Sequence, residues 1–319
     1  MKRLVRALDR FWFTDAPAGR LAVLRILVGG FVFSYLGRRY SMLLRIAGSD
    51  PCLFRPVGTA ALLDRPMPVK AFRALLGATL VANLAFVLGW RHRYSGPSFA
   101  GLLLWVLCYR NSWSMIYHCD NVLALHALIL GVTPAADALS LDALVRPSAA
   151  RQPAGVPDAL PRRDPAGDWR YGWPIRLMNG VTVLTYFLAG VAKLAGPLGW
   201  KWASGDALRG QVAVDGLRKE LLGDGAARLA FALYNNVSLF RTMGLGSLVV
   251  ELVAPAVLLD KRLSRLWAIG AFLMHWGIFF IMKIKFRYQL AGLIFAPFFD
   301  VERLAAWIAP GHVGPRPRR

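Results

Sequence analysis

LMNGVTVLTYFLAGVAKLA, residues 177–195, decides how the rest of the chain is read. Sixteen uncharged residues precede Lys193. About 20 mostly apolar residues are what a helix needs to cross a hydrocarbon layer about 30 Å thick. Similar apolar blocks recur on both sides, at 21–36, 72–90, 96–109, 122–138, 243–259, 266–282 and 288–299. With 177–195 they make eight expected spans, the third and last of them short. A further stretch, 226–240, has a helical pattern but carries Asn235, Asn236 and Ser238. It reads as an interfacial helix, a re-entrant piece or a ninth span. The expected fold class is all-α: a polytopic membrane bundle of about eight helices.

Composition points the same way. Hydrophobic residues make up 56% of the 319, and mean hydropathy is +0.43. Charged residues are 18%, against about 25% in an ordinary soluble domain. Eleven Trp and 18 Phe suit aromatic belts at a lipid interface. The net charge of +21 comes from Arg and Lys at the ends of apolar blocks, where they hold helix ends at anionic headgroups. That placement argues against nucleic acid, which needs one basic polar face. Cys52, Cys108 and Cys119 form no CxxC pair, so neither a disulfide framework nor a zinc site is expected.

The organisation follows from these blocks. Residues 1–20 are expected to hold an interfacial amphipathic helix, with Leu4, Leu8, Phe11 and Trp12 on its apolar side. Residues 21–144 form a first membrane half of about four helices. Residues 145–174, rich in Pro, Arg, Gly and Ala, cannot bury enough apolar area to offset ordering entropy and read as a flexible linker. Residues 175–300 form the second half, and 301–319 a basic tail. The basic N-terminus, linker and tail favour a cytoplasmic N-terminus, while the basic loop at 38–70 opposes it.

A charge inside a membrane helix costs at least a few kcal/mol and faces a protein interior or a wet cavity. Arg25, His118, Asp120, His126, Lys193, Glu251 and His275 are therefore the informative residues. Lys193 near a span end either snorkels to the interface or sits neutral in a dry pocket, where an amine is a competent general base. Asp120 either caps the helix that follows it or faces a cavity beside His118. His126 suits a hydrogen bond to a neighbouring helix. Glu251 needs a partner or a proton; Arg25 is the first candidate and Lys193 the second. His275 lies in an aromatic setting one turn before Phe279. No HxxxH or HExxH spacing occurs, and no metal is expected.

The run YFLAGVAKL at 186–194, followed by Trp200 and Gly205, resembles the hallmark of the horizontally transferred transmembrane (HTTM) domain, the membrane part of vitamin K-dependent γ-carboxylase. The likeness extends to Glu251, to His275, and to DNVLALHALILGVTPAADALSLDAL at 120–144, a helix followed by a Ser-x-Asp turn at Ser140 and Asp142, and covers most of 10–300. It implies that Lys193 is the base that deprotonates reduced vitamin K or another quinol, with His118 or Asp120 near the place of a functional His. The expected cofactor is thus a quinol, with no metal and no nucleotide. The expected setting is a polar-lined pocket between the halves, where Arg25 keeps Glu251 ionised. The location expected is the plasma membrane of a bacterium.

Two other readings stand beside carboxylase-like chemistry. The carboxylase carries a large luminal domain after its membrane part, whereas this chain ends shortly after its last expected span. That suits a non-catalytic accessory factor for maturing a secreted peptide or a partner membrane protein, as in a shorter bacterial member of the family. The third reading is a small-molecule or ion transporter that uses the intramembrane charges as a relay, although no internal repeat is visible.

Overall fold

The computed structural model describes residues 2–145 and 167–304. Among these residues the chain is helical, with no strand beyond a single antiparallel bridge between Ala16 and Asp168. The helices are α1 (Lys2–Trp12), α2 (Ala18–Arg38), α3 (Tyr40–Ala47), α4 (Val69–Leu88), α5 (His92–Asn111), α6 (Asn121–Val132) and α7 (Leu141–Val145). After them come α8 (Trp169–Ala195), α9 (Asp206–Leu221), α10 (Arg228–Leu233), α11 (Val237–Leu252), α12 (Ala254–Val257), α13 (Lys261–Met282) and α14 (Arg287–Leu290). Four of them, α2, α4, α8 and α13, are long and apolar enough to cross a membrane.

The other expected spans differ, each for a local reason. Helix α5 has 20 residues, but it opens with HRYSGPS and closes with YRN, so its apolar stretch is short. Helix α6 stops at Val132 instead of continuing to 138. Thr133 precedes Pro134, and a residue before proline is driven out of helical dihedrals. The block at 243–259 divides into α11 and α12 around Pro255, which has no N–H to continue the ladder. The last block, 288–299, is not one helix: α14 ends at Leu290, Gly292 adopts a left-handed φ of 73°, and a 3-10 stretch follows over Leu293–Phe298. Within 226–240 two helices meet, because Asn236 accepts a hydrogen bond from Leu239 N at 3.0 Å and caps α11.

The chain divides into two compact units, Met1–Met178 with Asp300–Arg319, and Asn179–Phe299. The division falls inside α8, past the expected linker. Of that linker, 146–166 lie outside the described residues, and 169–174 already belong to α8. Residues 305–319 of the expected tail lie outside them as well.

In the first unit α2 is the buried centre, packed by α4 and α6, with α5 against both of these. Leu21, Leu24, Val28, Val32 and Leu36 are buried along it. Helices α5 and α6 cross at a pair of glycines: a Cβ added at Gly96 would lie 2.3 Å from the Gly131 carbonyl oxygen, and one at Gly131 2.7 Å from that of Gly96. Small residues of this kind let backbones touch where hydrophobic expulsion from water is weak. At the α4–α5 corner, Asp142 accepts from Arg91 N at 2.7 Å and His92 N at 2.8 Å, capping α5 from a distant part of the chain. Ser140 accepts from Ala143 N at 2.9 Å and starts α7.

In the second unit α13 packs against α9, α10 and α11. A small core of Val212, Ala227, Ala230, Phe240 and Ile281 joins α9, α10, α11 and α13. Asp260 caps α13 by accepting from Leu263 N at 2.8 Å.

The α5–α6 crossing makes a specific demand. Gly131→Val should lower stability by about 1–3 kcal/mol, the usual cost of overpacking a tight contact. Thermal unfolding of the purified protein in detergent measures it, and an unchanged midpoint would mean that the helices can separate freely.

Candidate functional site

The candidate site lies in the second unit, where α8 ends. Tyr186, Gly190 and Lys193 are spaced four and three residues apart, so they share one face of α8. Gly190 lets α11 approach: a Cβ there would lie 2.9 Å from Glu251 Cβ. That closeness brings Lys193 Nζ to 2.6 Å from Glu251 Oε1 and 2.8 Å from Oε2. The Glu251 side chain is 7% exposed and that of Lys193 22%. Nζ also lies 4.9 Å from the centre of the Trp202 ring, within cation–π range.

The loop after α8 places Trp202. Gly205 has a left-handed φ of 86°, and a Cβ there would lie 2.5 Å from Phe240 C and Arg241 N of α11. Only glycine meets both conditions. The loop therefore sits against α11 and carries Trp202 over the ammonium, while Trp200 stays exposed.

On the same face of α8, Tyr186 Oη lies 3.3 Å from His275 Nδ1. Nδ1 is also 2.8 Å from the Ala271 carbonyl oxygen. A carbonyl only accepts, so Nδ1 carries the hydrogen and Nε2 is the basic nitrogen. Phe286 stands edge-on to the imidazole at 5.2 Å, and Tyr186 meets Trp267 edge-on at 5.0 Å. Trp267 Nε1 donates to Val250 O at 2.7 Å. That carbonyl belongs to the last turn of α11, where the break before Pro255 leaves acceptors without helical donors. Trp267 thereby ties α13 to the turn that holds Glu251.

The first unit carries a different polar cluster. Arg110 Nη1 meets Asp120 Oδ2 at 2.7 Å, and the Tyr35 hydroxyl donates to the same oxygen at 2.7 Å. Arg39 Nη1 reaches the Tyr35 oxygen at 2.6 Å, and Arg110 stacks over Tyr117 at 4.2 Å. Asp120 stands at the start of α6 but makes no capping bond there, so the capping role does not hold; its carboxylate is given to Arg110 and Tyr35. Next to it, burial and then the Asp120 charge push the Cys119 thiol up to about 12, which keeps it a neutral thiol. His118 lies in the 3-10 turn before α6, and its side chain falls outside the described residues.

Arg25 is fully buried and donates from Nη2 to Leu139 O at 2.5 Å. Leu139 adopts a left-handed φ of 48°, strained for a residue with a branched side chain, and the guanidinium holds its carbonyl in place. The expected pairing of Arg25 with Glu251 gives way to these contacts, and the carboxylate takes the second candidate, Lys193. His126 Nε2 lies 3.1 Å from Met178 O on α8. Of the singled-out residues, then, Lys193 and Glu251 bond directly, and His275 of α13 meets Tyr186, two turns from Lys193 on the same face of α8. Arg25, Asp120 and His126 serve separate contacts in the first unit. Trp202 and Arg110 are not among the residues the sequence singles out, and Tyr186 enters there only as the first residue of the YFLAGVAKL run, although the spacing of 186, 190 and 193 is a usable signal.

No family model, curated protein or solved structure matches the chain.

Removing one partner of a buried ion pair leaves the other charge uncompensated. Lys193→Met alone should cost about 2–3 kcal/mol, the partial exposure of the amine reducing the usual figure. Lys193→Met with Glu251→Met should recover most of that loss. Thermal unfolding of the two single variants and the double variant measures the coupling, and additive losses would mean that the two groups do not interact.

Proposed function

We propose that this chain is an integral membrane protein of the HTTM type, in which Lys193 acts as a general base on a quinol or another lipid-soluble acid. The four long apolar helices support the membrane setting. The rest of about eight crossings would come from α5, α6, the α11–α12 pair and the broken segment at 288–299. The likeness of YFLAGVAKL, Trp200, Gly205, Glu251 and His275 to the membrane domain of γ-carboxylase supports the family and the chemistry.

The observation that carries the reading is the two-oxygen contact of Glu251 with Lys193. A base at Nζ must first give up a proton, and the carboxylate is placed to take it. In an apolar interior two charges are penalised together, which brings the neutral amine–acid pair within reach of the ion pair. Glu251 thus acts as the proton store and Lys193 as the base. An ammonium has three N–H donors and no acceptor; once one proton has passed to Glu251, rotation of the remaining NH2 group can turn its lone pair to the Trp202 side, where it would accept the proton of an incoming hydroxyl. This base beside aromatic rings fits a planar quinol, which when bound supplies an acidic hydroxyl. Lys193 and Trp202 would hold it, and Tyr186 and His275 would order the wall behind the pair. Asp120, engaged by Arg110 and Tyr35, takes no part.

The test uses the full chain in lipid nanodiscs with reduced vitamin K, oxygen, labelled bicarbonate and a glutamate-containing peptide. Incorporation of label is expected for the wild type. Lys193→Ala, Lys193→Arg and Glu251→Gln should each lower it at least about 100-fold, since arginine stays protonated and glutamine stores no proton. An active Lys193→Arg would overturn the assignment. A wild type that fixes no label but copurifies with a peptide would replace it with the accessory role. Substrate uptake into proteoliposomes would replace it with transport.

A further inference from the structure

Helix α13 has 22 residues, which at 1.5 Å each is about 33 Å, close to the thickness of a bilayer core. It begins with Lys261 and Arg262, and Lys283 and Lys285 follow its end. Beside that second end, α10 and the turn before it leave an open groove of about 590 Å³. Phe231, Phe279 and Phe280 line it, with Arg228 and Lys283 at the rim. Phe231 is 65% exposed and Phe280 55%. Lys283 Nζ donates to Gly225 O at 3.0 Å and braces the wall. Glu220 also lines the groove, but its Oε1 is occupied by Ala226 N at 2.6 Å.

The adjoining helix α9 also presents apolar residues outward. On α9 the buried side holds an ion pair, Asp215 with Lys219 at 2.5 Å, and Lys219 also donates to Met282 O. Val214, Leu217 and Leu221, spaced three and four residues apart, are exposed. Arg218 is exposed on the same helix while Ala207 and Val212 are buried, so α9 presents an exposed apolar stripe beside charged residues, the pattern of a helix lying at a lipid interface.

We propose that the groove between α10 and the end of α13 binds one anionic phospholipid, its phosphate at Arg228 and Lys283 and an acyl chain along Phe231 and Phe280. Two cations at the rim match a phosphodiester, and the three Phe side chains match an acyl chain. The site rests on the membrane setting proposed above, but not on the chemistry of Lys193.

The test reconstitutes the full chain in vesicles of equal phosphatidylglycerol and phosphatidylcholine, extracts it in mild detergent and counts retained lipid by mass spectrometry. The wild type should retain phosphatidylglycerol in clear excess. Each cation near a membrane surface contributes about fivefold in binding, so Arg228→Gln with Lys283→Gln should bring retention to parity. Arg228→Gln alone, at an exposed position, should lower it about fivefold even if the turn at Lys283 resists change. Lys261→Gln with Arg262→Gln, which removes the same charge from the other end of α13, should leave the excess intact. Equal loss in both double variants would reduce the effect to net charge and overturn the site. A chain that floats with vesicles but shows no excess overturns the site alone, and a chain that does not float overturns the membrane setting with it.

Discussion

A charge on an apolar helix must find a partner on a neighbouring helix, and in this protein that requirement decides where the helices meet. Lys193 and Glu251 join α8 to α11, Arg110 and Asp120 join the end of α5 to the start of α6, and Arg25 anchors the turn at Leu139 from within α2. Most of these groups are buried, so a lost partner is poorly replaced and each contact sets register as well as energy. The hydrophobic residues around them are interchangeable by comparison, because one apolar side chain facing another specifies little beyond volume.

Glycine makes these contacts geometrically possible. Without Gly190 the carboxylate of Glu251 could not come to both hydrogen-bonding distances from Lys193, since the backbones would stand apart by the width of a side chain. Gly205 does the same for the loop that brings Trp202 to the ammonium. In the sequence the residues between Tyr186 and Gly205 look like one membrane segment and its exit. In the fold they act as a single device: a helix face, a close approach and a returning loop, all serving one amine.

Breaks in the helices matter as much as their lengths. The interruption before Pro255 frees the Val250 carbonyl, and Trp267 takes it, which fixes α13 against the turn carrying Glu251. Tyr186 and His275 extend that arrangement along α8. The proposed base therefore stands in a frame tied from three helices, where a proton can pass between two fixed atoms without large motion. The end of α13 offers a second, unrelated surface, basic at its rim and aromatic on its floor, where a lipid headgroup would lodge.

Apolar runs and the placement of Arg and Lys were enough, from the sequence alone, to identify an all-helical chain with helices of bilayer length, and they singled out Lys193, Glu251 and His275. The turn signals were present too: Pro134, Pro255, Gly292 and Asn236 each end or start a helix, but a hydropathy count passes over them. Only the tertiary structure decided partners. Helical spacing orders residues on one helix and says nothing about which face of another helix meets them, so Glu251 paired with Lys193 and not Arg25, and Asp120 left its capping position for Arg110 and Tyr35. Choosing among cations is a matter of distance and desolvation across the packed unit, and neither is written in any one segment.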